Sequence, residues 1–324
     1  MKRREFITLL GAAAAGWPPL AASAQQSSRE RRVGILIFSE DDKATIRPFL
    51  QGLEALGYVD GKTVTIEYRD AKAKFEQLAP MAHELARLNP EVIFSFGGEQ
   101  APTVKQATST IPIVVVVSTD PVESGLVESL GRPGGNITGI TYVHEMLAGK
   151  SVELLKDAVP SVSRVAILWD PRHTDPEFRE TQRASRALGV SLQSLEVRET
   201  GDFESAFQAA TRAQVEALIV IGSRLVRRHR QAIGDFAAKH RLILVGVPRW
   251  LMEVGALLTY GPNTVELHRR AASYVDKILK GAKPADLPMQ QPVTFELSIS
   301  LKTAKAFGFT MPSTLLARAD EVIE

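Results

Sequence analysis

The sequence predicts an α/β protein of two doubly wound, Rossmann-like domains joined by a three-segment hinge. Short runs of β-branched apolar residues, such as residues 111–117, alternate with segments whose apolar residues recur at helical spacing. This alternation continues to about residue 139 and begins again near residue 146, which indicates two units of similar size. A length of 324 residues is typical of two domains. A further strand and helix are expected beyond Pro248. If they return to the sheet of the first unit, the chain crosses between the two units three times.

The first unit has the pattern of a parallel sheet. Its strands are expected at residues 33–38, 64–68, 92–95 and 111–117. Gly57 stands where the first intervening helix should stop. Because the loops are short, right-handed βαβ units follow from this alternation. After the fourth strand we expect a short helical piece, a turn at residues 132–136 and an extended exit toward the second unit.

The second unit repeats the pattern, with a helix near residues 146–158 and strands at 165–169, 192–197, 217–221 and 242–245. The segment beyond it contains a strand at 256–260, a helix after Asn263, an exposed strand at 293–299 and a last helix near 303–307. The expected N-terminal lobe comprises residues 25–139 and 250–288. The expected C-terminal lobe comprises residues 140–249 and 289–324.

Residues 1–24 have the three regions of an export signal. Lys2, Arg3 and Arg4 precede an apolar core at residues 7–16, and Ala22-Ser23-Ala24 forms a cleavage site. The paired arginines resemble a twin-arginine signal, and the general secretory route is the alternative. No cysteine follows the core, so a lipoprotein anchor is not expected. The protein is therefore predicted to be periplasmic, an uncleaved amphipathic N-terminus being the other interpretation.

Composition excludes several function classes. The lack of cysteine excludes thiolate catalysis, iron-sulfur clusters and disulfides. The formal charge of +2 is carried by the signal, so the remaining chain is near neutral and no nucleic-acid partner is expected. The six histidines lack metal-ligand spacing, and there is no dinucleotide or phosphate loop. We expect no metal, no cofactor and no catalytic residue.

The candidate site residues follow the strands, because ligands of open α/β sheets collect at the carboxyl ends of their strands. Backbone N–H groups at helix starts and nearby hydroxyls suit a carboxylate, whereas Glu99 and Asp120 suit a cation. Together they favour a zwitterion such as an amino acid. The candidates are Ser39, Gly97, Gly98, Glu99, Ser118, Thr119, Asp120, Asp170, Ser223 and Tyr260.

Each candidate also has a purely structural interpretation. Asp120 before Pro121 is a common turn former, and Asp170 is placed to cap a helix. Glu99 is typical of an exposed helix start, and Gly97 of a tight turn. The basic run at residues 227–230 is typical of an exposed helix face, with docking to an acidic permease surface as the alternative.

Several segments resemble one known family. They include GLEALGYVDGKTVTIEYRDA, DPVESGLV, RPGGNITG and YGPNTVELHRRAASYVDKILKGAKPADLP. These segments are similar to those of ABC-transporter substrate-binding proteins of the tryptophan/tyrosine-binding type, which have the type I periplasmic-binding-protein fold. The resemblance implies a cleft-binding receptor that delivers a small solute to a membrane permease, and we expect the protein to be a monomer. The family usually carries small residues where Glu99 and Gln100 stand, which leaves the ligand open.

Two hypotheses of different classes follow. The first is a solute-binding receptor of an ABC importer that closes about its hinge when ligand contacts both lobes. The second is a periplasmic enzyme, a hydrolase or an isomerase, on the same frame. Turnover of a ligand would favour the enzyme, and an unchanged bound solute the receptor. A sugar-type sensor or a transcriptional regulator is weaker, because the N-terminus carries an export signal in place of a helix-turn-helix module.

Overall fold

A computed structural model describes residues 31–142, 145–172 and 177–324 of the chain. The export signal predicted at residues 1–24 lies outside the described residues. None of the described helices is both long enough and apolar enough to cross a membrane.

The first lobe is a five-stranded sheet in the order β2-β1-β3-β4-β5, and every pair in it is parallel. Helices cover both faces of this sheet, so the other four strands are buried, whereas the edge strand β2 is half-buried. The elements are β1 (Arg32–Ile37), α1 (Asp42–Ala55), β2 (Thr65–Asp70), α2 (Leu78–Arg87), β3 (Val92–Phe96), α3 (Gln100–Ala107), β4 (Ile113–Val117) and β5 (Ile137–Thr141).

The second lobe is a seven-stranded sheet in the order β12-β11-β10-β9-β8-β6-β7, in which only β10 and β11 pair antiparallel. The elements of its first half are α4 (Glu145–Ala158), β6 (Arg164–Trp169), α5 (Glu177–Ala187), β7 (Ser191–Glu196), α6 (Asp202–Arg212), β8 (Ala217–Val220), α7 (Arg224–Arg228), α8 (Arg230–Lys239) and β9 (Ile243–Gly246). The later elements are β10 (Leu258–Pro262), α9 (Thr264–Leu279), β11 (Phe295–Ser300), α10 (Leu301–Phe307), α11 (Ser313–Leu316) and β12 (Glu321–Ile323).

Each sheet has an apolar core on both of its faces. In the first lobe, Phe49 of α1 stacks on Phe94 of β3 with ring centroids 3.7 Å apart, while Leu85 of α2 fills the opposite face. In the second lobe, Leu155 of α4 and Ile233 of α8 lie in the cores on opposite sides of the sheet. This arrangement confirms the prediction of two doubly wound α/β domains.

The chain passes between the lobes at three places. It leaves the first sheet after β5, returns between β10 and α9, and crosses again between Gln290 and β11. Helix α9 packs on α1, where Leu267 and Val275 enter the first-lobe core. Gln290 donates its backbone N–H to the Gly139 carbonyl at 3.0 Å, which holds residues 289–290 against β5.

The observed strand membership differs from the expected lobe boundaries at residues 256–262. We expected this strand in the first lobe, but β10 pairs with β9 on one side and with all of β11 on the other. Only α9 returns to the first sheet. The carboxyl ends of β9 and β10 therefore lie at one edge of the second sheet, and residues 289–290 lie with the first lobe.

Three smaller expectations also need correction. The segment after Pro121 is a series of turns, in which Leu126 and Val127 both donate to the Pro121 carbonyl, and contains no helix. Strand β11 is buried over its last four residues because β10 and β12 flank it, so it is not an exposed strand. Helix α10 is followed by α11 and by β12, so it is not the last element.

Candidate ligand site between the lobes

The loops at the carboxyl ends of the two sheets approach each other. In the first lobe these are the loops after β1, β3, β4 and β5, and in the second lobe those after β6 and β8. Because the strands within each set are parallel, their carboxyl ends share one edge of their sheet. Side chains from the two edges meet directly, as the following contacts show.

An ion pair between Asp42 and Arg224 joins the lobes. Asp42 is the first residue of α1, and Arg224 is the first residue of α7, directly after the cap residue Ser223. The Arg224 Nη1 donates to Asp42 Oδ1 at 2.8 Å and to Oδ2 at 3.0 Å. The two side chains are only 13% and 7% exposed, so this pair is shielded from water. Asp42 also accepts the Phe38 backbone N–H at 2.7 Å, which fixes the carboxylate.

The first lobe surrounds the Arg224 guanidinium with a socket formed by Asp42, Gln100, Phe38 and Phe96. With its amide oxygen turned toward the donors, the buried Gln100 side chain accepts from Arg224 Nη2 at 2.8 Å and donates to the Leu36 carbonyl at 2.8 Å. The Arg224 Cζ lies 4.8 Å from the Phe38 ring centroid and 5.7 Å from that of Phe96. The socket therefore supplies a charge, a hydrogen bond and two aromatic faces.

Gly97 and Glu99 lie beside this socket. Gly97 has φ +83°, and a Cβ at this position would lie 3.1 Å from Arg224 Nη2. A glycine thus serves both the turn and the close approach of the second lobe. The Glu99 Oε2 lies 3.9 Å from Arg224 Nε, beyond hydrogen-bond distance. The buried Nε has no hydrogen-bond partner among the described residues.

Tyr142, directly after β5, connects the remaining first-lobe loops. Its side chain is hydrogen-bonded to that of Ser118, and burial raises the pKa of the Tyr142 hydroxyl. The negative charges of Glu99 and Glu177 raise this pKa further, while the Ser118 hydrogen bond and the positive charge of Arg224 lower it. Tyr142 therefore stays a neutral hydroxyl within electrostatic reach of charged groups from both lobes.

Thr119 is buried in the loop after β4, with 4% of its surface exposed. Its Oγ1 has no hydrogen-bond partner among the described residues, while its carbonyl accepts from Thr141 Oγ1 at 3.3 Å. A buried hydroxyl without a partner is uncommon in native proteins and calls for an explanation such as a bound molecule.

In the second lobe, Asp170 follows β6 and holds Arg172. The Arg172 Nε and Nη2 donate to Asp170 Oδ1 and Oδ2 at 3.0 and 2.8 Å, and the Arg172 backbone N–H adds a third bond at 3.0 Å. The hydrogen bond to Asp170 raises the pKa of the Arg172 guanidinium, and the charge of Glu99 adds to this effect. Glu99 thus acts electrostatically on both lobes.

Two exposed contacts link the rims of the lobes. Arg179 of α5 donates to Glu123 at 2.8 Å, and Arg227 of α7 donates to Thr45 of α1 at 3.3 Å. Contacts of this kind in water contribute little stability.

The predicted site residues have different environments. The residues that meet between the lobes, namely Asp42, Gly97, Glu99, Gln100, Ser118, Tyr142 and Arg224, are called the interlobe group. It contains the candidates Gly97, Glu99 and Ser118. Gly98 is buried next to them in the chain, and Ser39 donates its N–H to Asp42 at 3.4 Å. Other candidates have structural partners. Asp120 Oδ1 accepts from the backbone N–H groups of Val122 and Glu123 at 2.7 and 2.9 Å, as a turn former does, and Ser223 Oγ caps α7 by accepting from Val226 at 3.2 Å.

Tyr260 lies in β10 and packs in the second-lobe core, with its ring centroid 5.9 Å from that of Phe295. None of its described contacts is with the interlobe group.

Sequence reasoning missed Asp42, Gln100, Arg224 and Tyr142. Arg224 stands one residue after the candidate Ser223, and Asp42 lies in the loop after the first strand, which is rich in acidic residues. The rule that ligands bind at the carboxyl ends of strands would have selected both residues if it had been applied a few residues farther along each loop. Tyr142 was missed because β5 was interpreted as a crossover and not as a strand of the first sheet.

Comparisons with known proteins agree with this architecture. The pattern of the family described as ABC transporter substrate binding protein matches residues 32–323. The tyrosine-binding protein of Clostridioides difficile (strain R20291) is 23% identical over 285 residues, which cover 86% of this chain and 81% of the relative.

Solved structures show the same fold. A conserved domain protein from Vibrio cholerae is 26% identical with a TM-score of 0.83, covering 91% of this chain and 100% of that one. An ABC domain from Streptococcus pneumonia in complex with L-Trp is 24% identical with a TM-score of 0.84 and the same coverage. These similarities confirm the resemblance inferred from the sequence segments. The chain therefore belongs to the ABC transporter substrate binding protein family.

Proposed function

We propose that this protein is the extracytoplasmic receptor of an ABC importer and binds a small, amino-acid-like solute, zwitterionic or carboxylate, between its lobes. One observation carries the proposal: Arg224 of the second lobe lies against Asp42, Gln100 and Glu99 of the first, at the sheet edges where such folds bind ligands. A relative named as a tyrosine-binding protein and a solved structure in complex with L-Trp support an amino-acid-like ligand.

The groups at this edge suit the two ends of a zwitterion. Arg224 Nε and Thr119 Oγ1 are buried atoms that a ligand carboxylate would satisfy. The start of α3 adds backbone N–H groups, which also favour an anion. Glu99 supplies an acceptor for an ammonium group, and the neutral Tyr142 hydroxyl is a further donor.

Ligand binding would act on the equilibrium between open and closed lobes. A solute that contacts both edges binds the closed state alone and shifts the population toward it. The Asp42–Arg224 pair already favours the closed state of the solute-free protein. Even a full shift from about 1% to about 99% closed requires only about 5.5 kcal/mol of differential binding, so a charged ligand with several hydrogen bonds can complete the closure. The permease would then recognise the closed form. We propose that the predicted signal at residues 1–24 directs export, with cleavage after Ala24, so that this cycle takes place in the periplasm.

A thermal-shift screen followed by calorimetry tests the proposal. We expect an amino acid to raise the melting temperature, because a ligand at 100 times its Kd stabilises the folded state by about 2.7 kcal/mol. Mass spectrometry of the recovered ligand should show it unchanged. Chemical conversion of the ligand would instead favour an enzyme, and binding of polyols alone would overturn the ligand class.

A further inference from the structure

We infer that Glu99 determines specificity in the interlobe site and selects solutes that carry a positively charged group. The inference rests on the proposed function and narrows it, because it excludes plain carboxylates and neutral polyols as ligands. It follows from the charge balance of the site, from the location of Glu99 and from the donors that surround it.

Each of the two described arginines at the site is paired with an aspartate. Arg224 is paired with Asp42 through two contacts of 2.8 and 3.0 Å. Arg172 is paired with Asp170 through two contacts of 3.0 and 2.8 Å. Each pair is neutral as a unit, so neither provides a free positive charge for Glu99.

The ion-pair contact of Glu99 is longer than those of Asp42 and Asp170. Its nearest described cationic atom is Arg224 Nε at 3.9 Å, on a guanidinium already held by Asp42. Its side chain is 28% exposed, so water only partly solvates the carboxylate. The partial positive charge at the start of α3 offsets some of this cost. Among the described residues no cation is paired with Glu99 alone, and a ligand cation would supply that counter-charge where water solvates the carboxylate only in part.

The location of Glu99 fits a ligand that bridges the lobes. Its charge acts on Tyr142 of the first lobe and on Arg172 of the second. Position 97 is a glycine and has no side chain beside Glu99. A Cβ at this position would lie 3.7 Å from Glu99 Oε2. The Glu99 carboxylate is 28% exposed beside Arg224 of the second lobe, at the edge where the two lobes meet.

Unsatisfied donors in the same loops give such a ligand an orientation. Arg224 Nε is buried beside Glu99, and the buried Thr119 Oγ1 belongs to the loop after β4. Strands β3 and β4 are paired in parallel, so the Glu99 and Thr119 loops leave the sheet side by side. A ligand carboxylate on these donors and an ammonium group on Glu99 satisfy all three together.

The experiment compares matched ligands on the full protein. L-tryptophan and L-tyrosine are each tested by calorimetry beside the analogue that lacks the amino group, namely indole-3-propionate and 3-(4-hydroxyphenyl)propionate. A thermal-shift panel adds the other proteinogenic amino acids, putrescine, agmatine, succinate and myo-inositol. We expect stabilisation only by compounds with an ammonium or guanidinium group.

Glu99→Gln tests the residue itself. We expect it to weaken binding of the best cationic compound by about tenfold or more while leaving binding of its uncharged or des-amino counterpart unchanged or improved. Glu204→Gln, an exposed change on α6, is the matched control and should keep wild-type affinity. Glu99→Asp is the second variant, to be used if Glu99→Gln lowers the melting temperature of the free protein. It retains the negative charge and should therefore retain the preference for cationic compounds.

The outcomes separate this inference from the proposed function. Equal wild-type affinity for an amino acid and its des-amino analogue, or unchanged affinity in Glu99→Gln, would overturn the inference and leave the receptor function intact. No stabilisation by any compound of the panel would overturn the proposed ligand class and the inference together.

Discussion

Arg224 contacts four first-lobe residues that differ in their chemistry. Asp42 neutralises its charge, Gln100 accepts a second N–H, and its Cζ lies over the rings of Phe38 and Phe96. A lysine could not make these contacts together, because its ammonium is a compact charge without the planar fork. The socket is therefore specific for a guanidinium, and in this structure the chain itself supplies that group.

His268 links residue chemistry to the pH dependence of folding. It lies near the start of α9, 5% exposed, with Nδ1 2.7 Å from the Thr264 carbonyl and its ring edge-on to Phe94 and Phe96. Burial lowers the pKa of His268 from its ordinary 6.5, the Thr264 hydrogen bond raises it, and the positive charge of Arg227 lowers it. The imidazole is therefore neutral in the folded protein at neutral pH.

The first prediction follows from that lowered pKa. Below its ordinary pKa the unfolded chain binds a proton that the folded protein does not, so the free energy of unfolding falls by up to about 1.4 kcal/mol per pH unit. This loss begins as the pH drops through 6.5 and ends at the folded-state pKa. Urea unfolding at about pH 7.5 and about pH 5.5 should show a smaller loss in His268→Leu than in the wild type.

His83 provides the control, because it is exposed on α2. His83→Gln should keep the wild-type pH dependence. The same loss of unfolding free energy in His268→Leu and wild type would show that another group causes it.

At the scale of elements, the packing of α9 on α1 is the contact that returns the chain to the first lobe. Leu267, Ala271 and Val275 of α9 enter the same core as Phe49 and Leu53 of α1. Gly52 allows the two helices to approach closely, because a Cβ there would lie 2.7 Å from the Arg269 carbonyl oxygen and 2.9 Å from the Ala272 Cβ.

We predict that Gly52→Ala lowers the free energy of unfolding by about 1–3 kcal/mol, since the added methyl group forces the helices apart. Gly149→Ala in α4 is the matched control, because its Cβ would lie 3.4 Å from Ala184 in ordinary contact. That variant should be neutral or stabilised by up to about 1 kcal/mol, as expected for alanine in a helix. Equal effects of the two changes in urea unfolding would contradict the close-approach explanation.

Most strands could be predicted from the sequence because they are buried on both faces and appear as continuous apolar runs. Strand β10 could be recognised as a strand but not assigned to its sheet. That choice depends on pairing with β11, which follows more than thirty residues later in the chain. A local pattern carries no information about such a partner.

The sequence predicted which loops form the candidate site, but it predicted fewer of the residues whose side chains meet there. The strand-end rule selected Glu99 and Ser118, which lie in the interlobe group. It also selected Asp120, whose Oδ1 closes a turn with Val122 and Glu123. Whether a side chain turns toward the gap or toward its own backbone depends on the opposite lobe, and only the assembled structure brings Arg224 to Asp42.

At the scale of the whole molecule, the Asp42–Arg224 pair is the most buried of the ion pairs that join the described parts of the lobes. Removing one partner of a buried pair leaves an uncompensated charge, at a cost of about 3–5 kcal/mol. The molecule avoids that cost by separating its lobes, which returns the remaining charge to water.

Arg224→Ala should therefore open the solute-free protein. Small-angle X-ray scattering should give a larger radius of gyration for Arg224→Ala than for the wild type. Arg179→Ala removes the exposed pair with Glu123, worth about 0–1 kcal/mol, and should leave the scattering curve unchanged. Identical curves for Arg224→Ala and wild type would show that the pair does not hold the lobes together.

The return of the chain through α9 has a consequence for how the protein is made. During synthesis, the strands of the first sheet are complete at Thr141, yet the helix that covers Phe49 and Leu53 begins only at Thr264. The nascent first lobe therefore exposes this apolar surface while residues 145–262, which form β6 to β10 and the helices between them, are translated. The helix that covers this surface emerges only with residues 264–279, so we expect a fragment that ends before α9 to expose Phe49 and Leu53 to water.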